Sequence, residues 1–310
     1  MPMIKKECFE FAGSGGQVLP AVIWKPETVT AVLQVTHGMT EHMGRYENFA
    51  ATLAPLGIAV AGFDLRGHGR NSGHPEIASC GSGGWEASLE DMRLFYSHLR
   101  QNFPGVPLFM LGFSLGSFLL REYLTRFPQE NEISGAVIAG TGHQPGWLLS
   151  LMMAIVKGEI GKAGFDGTTA LVRQLSFETY NQKFKPNATT ADWLCANRQE
   201  LDRYLNDPLV RKDISAGLFR ELLGSMKRTG SPFEYDGWNT SLPILLISGQ
   251  DDPVGNGGKG VTALCRRMRK SGMESVEMEL IPGFRHDLLH EGPEAAMLIL
   301  RWLESRISGK

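Results

Sequence analysis

The stretch from Val106 to Ser117, V-P-L-F-M-L-G-F-S-L-G-S, constrains this chain more than any other. Leu108 to Leu111 is an apolar run of strand length. Gly112-Phe113-Ser114-Leu115-Gly116 ends it, and an amphipathic run carrying Phe118, Leu119, Leu120, Tyr123, Leu124 and Phe127 follows at once. The order is strand, tight turn, helix, with a serine at the tip. Such a turn forces Ser114 into a strained backbone conformation and lifts its Oγ clear of the sheet. Gly112 and Gly116 leave space for the close strand and helix, where a Cβ would collide. The N–H of Leu115, at the helix start, can point at an oxyanion. A bare G-x-S-x-G also arises by chance, so the rest of the chain has to supply a base, an acid and a second oxyanion donor.

The flanking pattern is regular. Residues 7–11 and 18–24 read as a hairpin around Gly13-Ser14-Gly15-Gly16. Buried strands are expected at 31–35, 58–63 and 133–139, and helices at 45–56 and 85–103. This alternation predicts an α/β fold, a mostly parallel sheet with helices on both faces. Ligands of such sheets sit beyond the carboxyl ends of the strands, where His37, Asp64 and Ser114 fall. From residue 141 to 236 the pattern turns helical and irregular, with helices expected at 192–205 and 214–226. Strands resume at 243–248 and 276–281, and helix closes the chain over 286–307, with an interruption near Gly292-Pro293. The expected division is therefore a core of residues 1–140 and 237–310 with a helical insertion at 141–236.

The 310 residues suffice for such a domain. A net charge of −2 argues against a nucleic-acid surface. Cys8, Cys80, Cys195 and Cys265 form no C-x-x-C pair, which suggests neither a zinc site nor a disulfide framework. The first residues lack the apolar core of a signal peptide, and no apolar run is long enough for a bilayer. A soluble, cytoplasmic protein is expected. Trp147 to Val156, W-L-L-S-L-M-M-A-I-V, is apolar nearly all round. It reads either as a buried helix of the insertion or as a segment lining an acyl tunnel or touching a membrane surface.

A serine hydroxyl needs a positioned base before it can attack. In a site of this kind the acid follows the serine and the histidine comes last. Ser248-Gly249-Gln250-Asp251-Asp252-Pro253-Val254 follows the first strand after the insertion, and its two adjacent aspartates compete for the role. Of the eight histidines, His286 alone follows the last strand and opens the last helix. His37 and His68 precede the serine, His98 is expected on a helix surface, and His42, His74 and His143 have no assigned role. His286 and His290 resemble the zinc motif H-E-x-x-H with Asp in place of Glu, but no third ligand is evident and no metal is expected. The second oxyanion donor fits the N–H of Met39, after His37-Gly38.

These stretches resemble a known family. H-G-M-T-E-H-M-G-R-Y at His37 to Tyr46 is similar to the H-G-x-x-E-H-x-x-R-Y run of monoglyceride lipases and bacterial lysophospholipase-like α/β-hydrolases. D-L-R-G-H-G-R-N-S-G, G-F-S-L-G-S, G-Q-D-D-P-V-G and G-F-R-H-D-L-L-H-E follow in the family's order. The resemblance implies Ser114 as nucleophile, His286 as base, and Met39 and Leu115 as oxyanion donors. The G-x-x-D-x-V spacing of related hydrolases favours Asp252 as the acid. It further implies no metal or organic cofactor, and a lid built from the insertion. The function implied is hydrolysis of carboxylic esters, with monoacylglycerol or lysophospholipid as substrate and an acyl-enzyme intermediate. Acyl transfer, peptide hydrolysis on the same triad and non-catalytic binding are the alternatives. The expected partner is a small ester or lipid, with transient membrane contact through the lid.

Overall fold

The structure is a computed structural model that describes residues 4–128, 132–231, 235 and 237–307. The expected core and insertion boundaries include residues 1–3, 236 and 308–310, which lie outside the described residues. Among the described residues there are ten strands: β1 (Ile4–Ala12), β2 (Val18–Pro26), β3 (Ala31–Thr36), β4 (Ile58–Phe63), β5 (Ile77–Ala78), β6 (Leu108–Phe113), β7 (Gly135–Ala139), β8 (Asp213–Ile214), β9 (Ile244–Gly249) and β10 (Val276–Ile281). Eight of them form one sheet in the order β1-β2-β4-β3-β6-β7-β9-β10. β1 and β2 pair antiparallel, as do β2 and β4, and every other pairing in this sheet is parallel.

The central strands β3, β4, β6, β7 and β9 are buried along their whole length. This explains their near-continuous apolar runs, because helices cover both faces of a parallel sheet. Alternation still sorts the side chains. Leu108 and Met110 join one core, with Met92 and Phe95 of α2 (Gly84–Asn102) and Leu119 of α3 (Leu115–Arg126). Phe109 and Leu111 join the other, with Phe49 and Leu53 of a short helix at Glu47–Leu53, and with Ile299 and Trp302 of the helix Pro293–Ile307. The interruption expected at Gly292 divides that last helix from a single turn at Leu288–Glu291.

Between β7 and β9 the chain is mainly helical. α4 (Gly146–Ala163) packs on α8 (Ala216–Arg228). α5 (Ala170–Arg173) leads through a π-helical turn at Gln174–Glu178 into α6 (Thr179–Asn181), and α7 (Arg198–Asn206) lies between them and α8. Two details differ from expectation. β8, inside the segment expected to be helical and irregular, is a short buried strand that pairs parallel with β5 of the core. The expected helix at 192–205 starts only at Arg198, because the Asn197 side chain caps it, accepting from the Gln199 and Glu200 N–H groups. Residues 192–197 are left as an irregular loop.

The α4 expectation is settled for one face. Leu149 and Val156 are buried, whereas Trp147, Leu151 and Ile155 are 71%, 53% and 37% exposed. These three recur every fourth residue and so form one outward stripe.

The registers align the strand ends. Thr36 pairs with Gly112, Phe113 with Ala139, Ala139 with Ile247, and Gly249 with Ile281. The residues after β3, β6, β9 and β10 therefore meet at one edge of the sheet. The turn between β6 and α3 is possible only without side chains at its two glycines. A Cβ on Gly112 would lie 2.2 Å from the Gly116 carbonyl oxygen, and one on Gly116 would lie 2.1 Å from that of Thr36. Ser114 between them has φ 50° and ψ −114°, a strained conformation for a non-glycine residue. Gly116→Ala should therefore lower unfolding free energy by about 1–3 kcal/mol in urea titrations. Gly158→Ala in α4, where nothing lies within 4 Å, should raise it by about 0.5–1 kcal/mol. Equal effects at the two sites would contradict the tight packing of α3 on β3.

Candidate active site

The strained turn presents Ser114 Oγ at the sheet edge, 2.8 Å from His286 Nε2. His286 Nδ1 lies 3.0 Å from Asp252 Oδ2. A carboxylate only accepts, so Nδ1 carries the proton and Nε2 is free to accept from the serine hydroxyl. Asp252 is fully buried and is itself held, its Oδ1 accepting from the Val254 N–H at 2.8 Å and its Oδ2 from Ser248 Oγ at 3.2 Å. Asp251 is exposed, its N–H bonded to the Phe284 carbonyl. Of the two competing aspartates, the structure thus joins Asp252 to His286. Burial pulls the His286 pKa down, but the Asp252 carboxylate, with Asp287 and Glu41 beyond it, outweighs this and leaves the pKa above the ordinary value.

Met39 lines the cavity that contains Ser114 and His286. Leu115 is the first residue of α3, where backbone N–H groups lack intrahelical partners. The loop bearing Met39 is braced from several sides. The Gly38 N–H donates to Glu41 Oε1 at 2.7 Å, and Tyr46 OH donates to the same oxygen at 2.8 Å. Arg45 donates to Glu41 Oε2 at 2.5 Å and to Asp287 Oδ2 at 2.7 Å. Asp287 Oδ1 is 2.6 Å from His290 Nδ1. This buried network links the loop before the Glu47–Leu53 helix to the residue after His286. Burial opposes the charge of the two carboxylates, yet their interactions, chiefly with Arg45, hold both pKa values below the ordinary range.

The remaining histidines serve other ends. His37 spans Gly38 O and the Leu65 N–H. His42 pairs with Asp207 at 2.9 Å. His98, expected on a helix surface, is half-buried against Phe9 and Phe95. His286 and His290 do not converge on a common point: one faces Ser114 and Asp252, the other Asp287. Glu41, Asp287 and His290 do place donor atoms within 4.8 Å of one another, but the Arg45 guanidinium already bonds both carboxylates.

Above these groups lies a cavity of about 460 Å³, within the range of small-molecule sites. Apart from Met39 and Phe113, its apolar wall comes from the segment between β7 and β9: Phe177, Trp193, Leu194, Leu205 and Val210. No residue of α4 lines it, so the structure does not bring Trp147 to Val156 to this cavity. The sequence carries no signal for these residues, because an apolar side chain in a helical or irregular stretch does not reveal that it faces a cavity. Glu41, Arg45 and Tyr46 stand within the His37 to Tyr46 motif, whose pattern alone assigns them no role.

The profile described as "Serine aminopeptidase, S33" matches residues 27–293. A monoacylglycerol lipase of Mycolicibacterium smegmatis is 26% identical over 311 residues, covering 96% of each chain. Human monoglyceride lipase is 26% identical over 295 residues, covering 94% of this chain and 88% of its own. Among solved structures, a highly thermostable carboxyl esterase from Bacillus coagulans in complex with glycerol superposes with a TM-score of 0.84 at 22% identity, covering 98% of this chain and 100% of its own. With more than half its length matched and the sheet order described above, this chain belongs to the serine aminopeptidase S33 family of α/β-hydrolases.

Proposed function

We propose that the protein is a serine ester hydrolase that cleaves acyl esters such as monoacylglycerols or lysophospholipids. The observation that carries this reading is the chain of contacts Ser114–His286–Asp252 opening into an apolar cavity. In the proposed mechanism, Ser114 Oγ bonds to the acyl carbon while its proton passes to His286 Nε2. Asp252 holds the imidazole and stabilises its cation. The oxyanion is met by the N–H groups of Met39 and Leu115. Collapse breaks the ester C–O bond, and the proton on Nε2 goes to the leaving alcohol. Water then repeats the sequence on the acyl-enzyme and frees the acid.

The family also bears a peptidase name, and a free α-amino group would call for an available carboxylate. Glu41 and Asp287 at the cavity wall are paired with Arg45 and Asp207 with His42, while Glu178, also on the wall, is exposed. The more buried lining carboxylates are thus already engaged, which favours acyl esters over free α-amino substrates. The segment between β7 and β9 acts as a lid in this reading.

The decisive experiment compares p-nitrophenyl esters, monoacylglycerols, lysophospholipids and aminoacyl p-nitroanilides. Each methylene that enters the cavity contributes at most about 0.8 kcal/mol, nearly fourfold in kcat/KM. The value should rise from acetyl to medium-chain esters, with little turnover of the anilides, and Leu205→Gln should flatten the rise. Ser114→Ala should lose about 10⁴-fold or more in kcat and Asp252→Asn roughly 10⁴-fold. Asp251→Asn should stay within about twofold. Full activity in folded Ser114→Ala would end the proposal.

The outward stripe of α4 favours a second feature, contact with a lipid surface. The helix is 18 residues long, and no helix among the described residues is long and apolar enough to cross a membrane. An exposed Trp, Leu and Ile on one face can instead dip into an interface. The double variant Trp147→Ser/Leu151→Ser should lose co-sedimentation with phosphatidylcholine vesicles while hydrolysing p-nitrophenyl acetate normally. Unchanged sedimentation would remove the membrane role.

A further inference from the structure

The loop at residues 192–197 is fastened to the loop that carries His286. The Asp287 N–H donates to the Leu194 carbonyl at 2.7 Å. The Arg285 guanidinium donates to the Asp192 carbonyl and, at 3.4 Å, to that of Cys195. Glu291 clips both loops together, accepting from the Ala196 N–H at 2.5 Å and the Arg285 N–H at 2.8 Å. Residues on either side of Trp193 are thus bonded to residues on either side of His286. The two rings between them stack, with centroids 5.1 Å apart and planes 28° from parallel. Trp193 is itself held in place. Its backbone N–H donates to Asn181 Oδ1 at 3.0 Å, its ring packs on Tyr180 and Phe177, and it is 5% exposed.

Any apolar side chain could fill this space. An indole face does more, because the ring it covers has to become a cation. Asp252 meets that cation at the edge of the imidazole, through Nδ1, while the face of the ring has no hydrogen-bonding group to offer. An indole quadrupole attracts a cation at this distance and most strongly away from water. The geometry points to Trp193 as a positioning residue of the reaction: the segment between β7 and β9 supplies the indole that keeps the His286 imidazole in line with Ser114 and stabilises it once protonated. This rests on His286 being the base.

Trp193→Leu keeps apolar bulk but removes the indole face, leaving Phe113, 5.2 Å away, as the other ring against the imidazole, whereas Trp193→Phe keeps a ring. On p-nitrophenyl acetate, whose short acyl group makes little use of the cavity, Trp193→Leu should lose roughly three- to thirty-fold in kcat with KM little changed. Trp193→Phe should retain most of the activity. The pH profile gives a second readout with a definite sign. The charged groups that reach the imidazole are Asp252, Asp287 and Glu41, and the substitution alters none of them. In the wild type, kcat/KM should fall as pH drops through a midpoint above the ordinary histidine value of about 6.5, because the base must be neutral. Losing the indole disfavours the cation, so the limb of Trp193→Leu should move to lower pH beneath a reduced plateau.

In wild-type enzyme labelled with 5-fluorotryptophan, one of the six indole resonances should titrate with the midpoint of the wild-type limb. This measurement decides the matter if Trp193→Leu does not fold. A fall in kcat without the shift of the limb, a profile identical to wild type, or six resonances indifferent to that midpoint would each overturn the role of Trp193. Full turnover by His286→Ala would instead overturn the assignment of the base.

Discussion

The active end of this fold depends on how closely α3 approaches β3. With a hydrogen in place of a side chain at Gly116, the helix starts against the Thr36 carbonyl. The chain then has no slack to round the turn gently, and Ser114 is held at φ 50°. The strain is offset by two well-packed cores on either face of the sheet. The same closeness sets the loop after β3, which bears Met39, beside the serine, since Thr36 and Gly112 are register partners. Two more parallel strands then bring the loops after β9 and β10 to that edge, and with them Asp252 and His286.

Beneath these loops the structure keeps ionised groups out of water. Glu41, Arg45 and Asp287 are buried together with Tyr46 and His290. Such a cluster adds little net stability, because desolvation offsets the attraction. Removal of one member, however, strands a buried charge, at a cost of roughly 3–5 kcal/mol. Its effect here is to tie position to position. Glu41 fixes Gly38, Arg45 joins Glu41 to Asp287, and Asp287 adjoins His286. The helical segment reaches the same loop from the other side. Tyr204 shares a 2.7 Å hydrogen bond with Thr40, the Arg211 N–H donates to the Thr40 carbonyl at 2.8 Å, and Thr40 itself has φ 69°. The loop bearing Met39, the loop bearing His286 and the insertion are therefore braced as one unit.

Strands and elbow were legible in the sequence because their signals are local. An apolar run bounded by glycines has few ways to fold, and five motifs in a fixed order leave little doubt about the sheet edge they share. The choice between Asp251 and Asp252 was not legible from the residues themselves. It turns on how the loop after β9 bends, with the Asp251 N–H bonded to Phe284 and the Asp252 N–H to Gly249, and only the family spacing favoured Asp252. Trp193 was hidden for a related reason. Its neighbourhood looked helical, and the helix start at Arg198 depends on a cap by Asn197, whose Nδ2 also reaches the Glu291 carbonyl far along the chain. The outward face of α4 was equally unreadable, since a run apolar on every side has no period to reveal which side is covered.

In the proposed mechanism the strained serine becomes acylated with help from the buried histidine. Rapid quenching of p-nitrophenyl butyrate turnover, followed by peptide mass spectrometry, tests it most directly. A butyryl group on the peptide containing Ser114, formed as fast as the first equivalent of p-nitrophenol and absent from His286→Ala, is the predicted result. Turnover at the normal rate with that peptide unmodified, or with the acyl group on another residue, would contradict it.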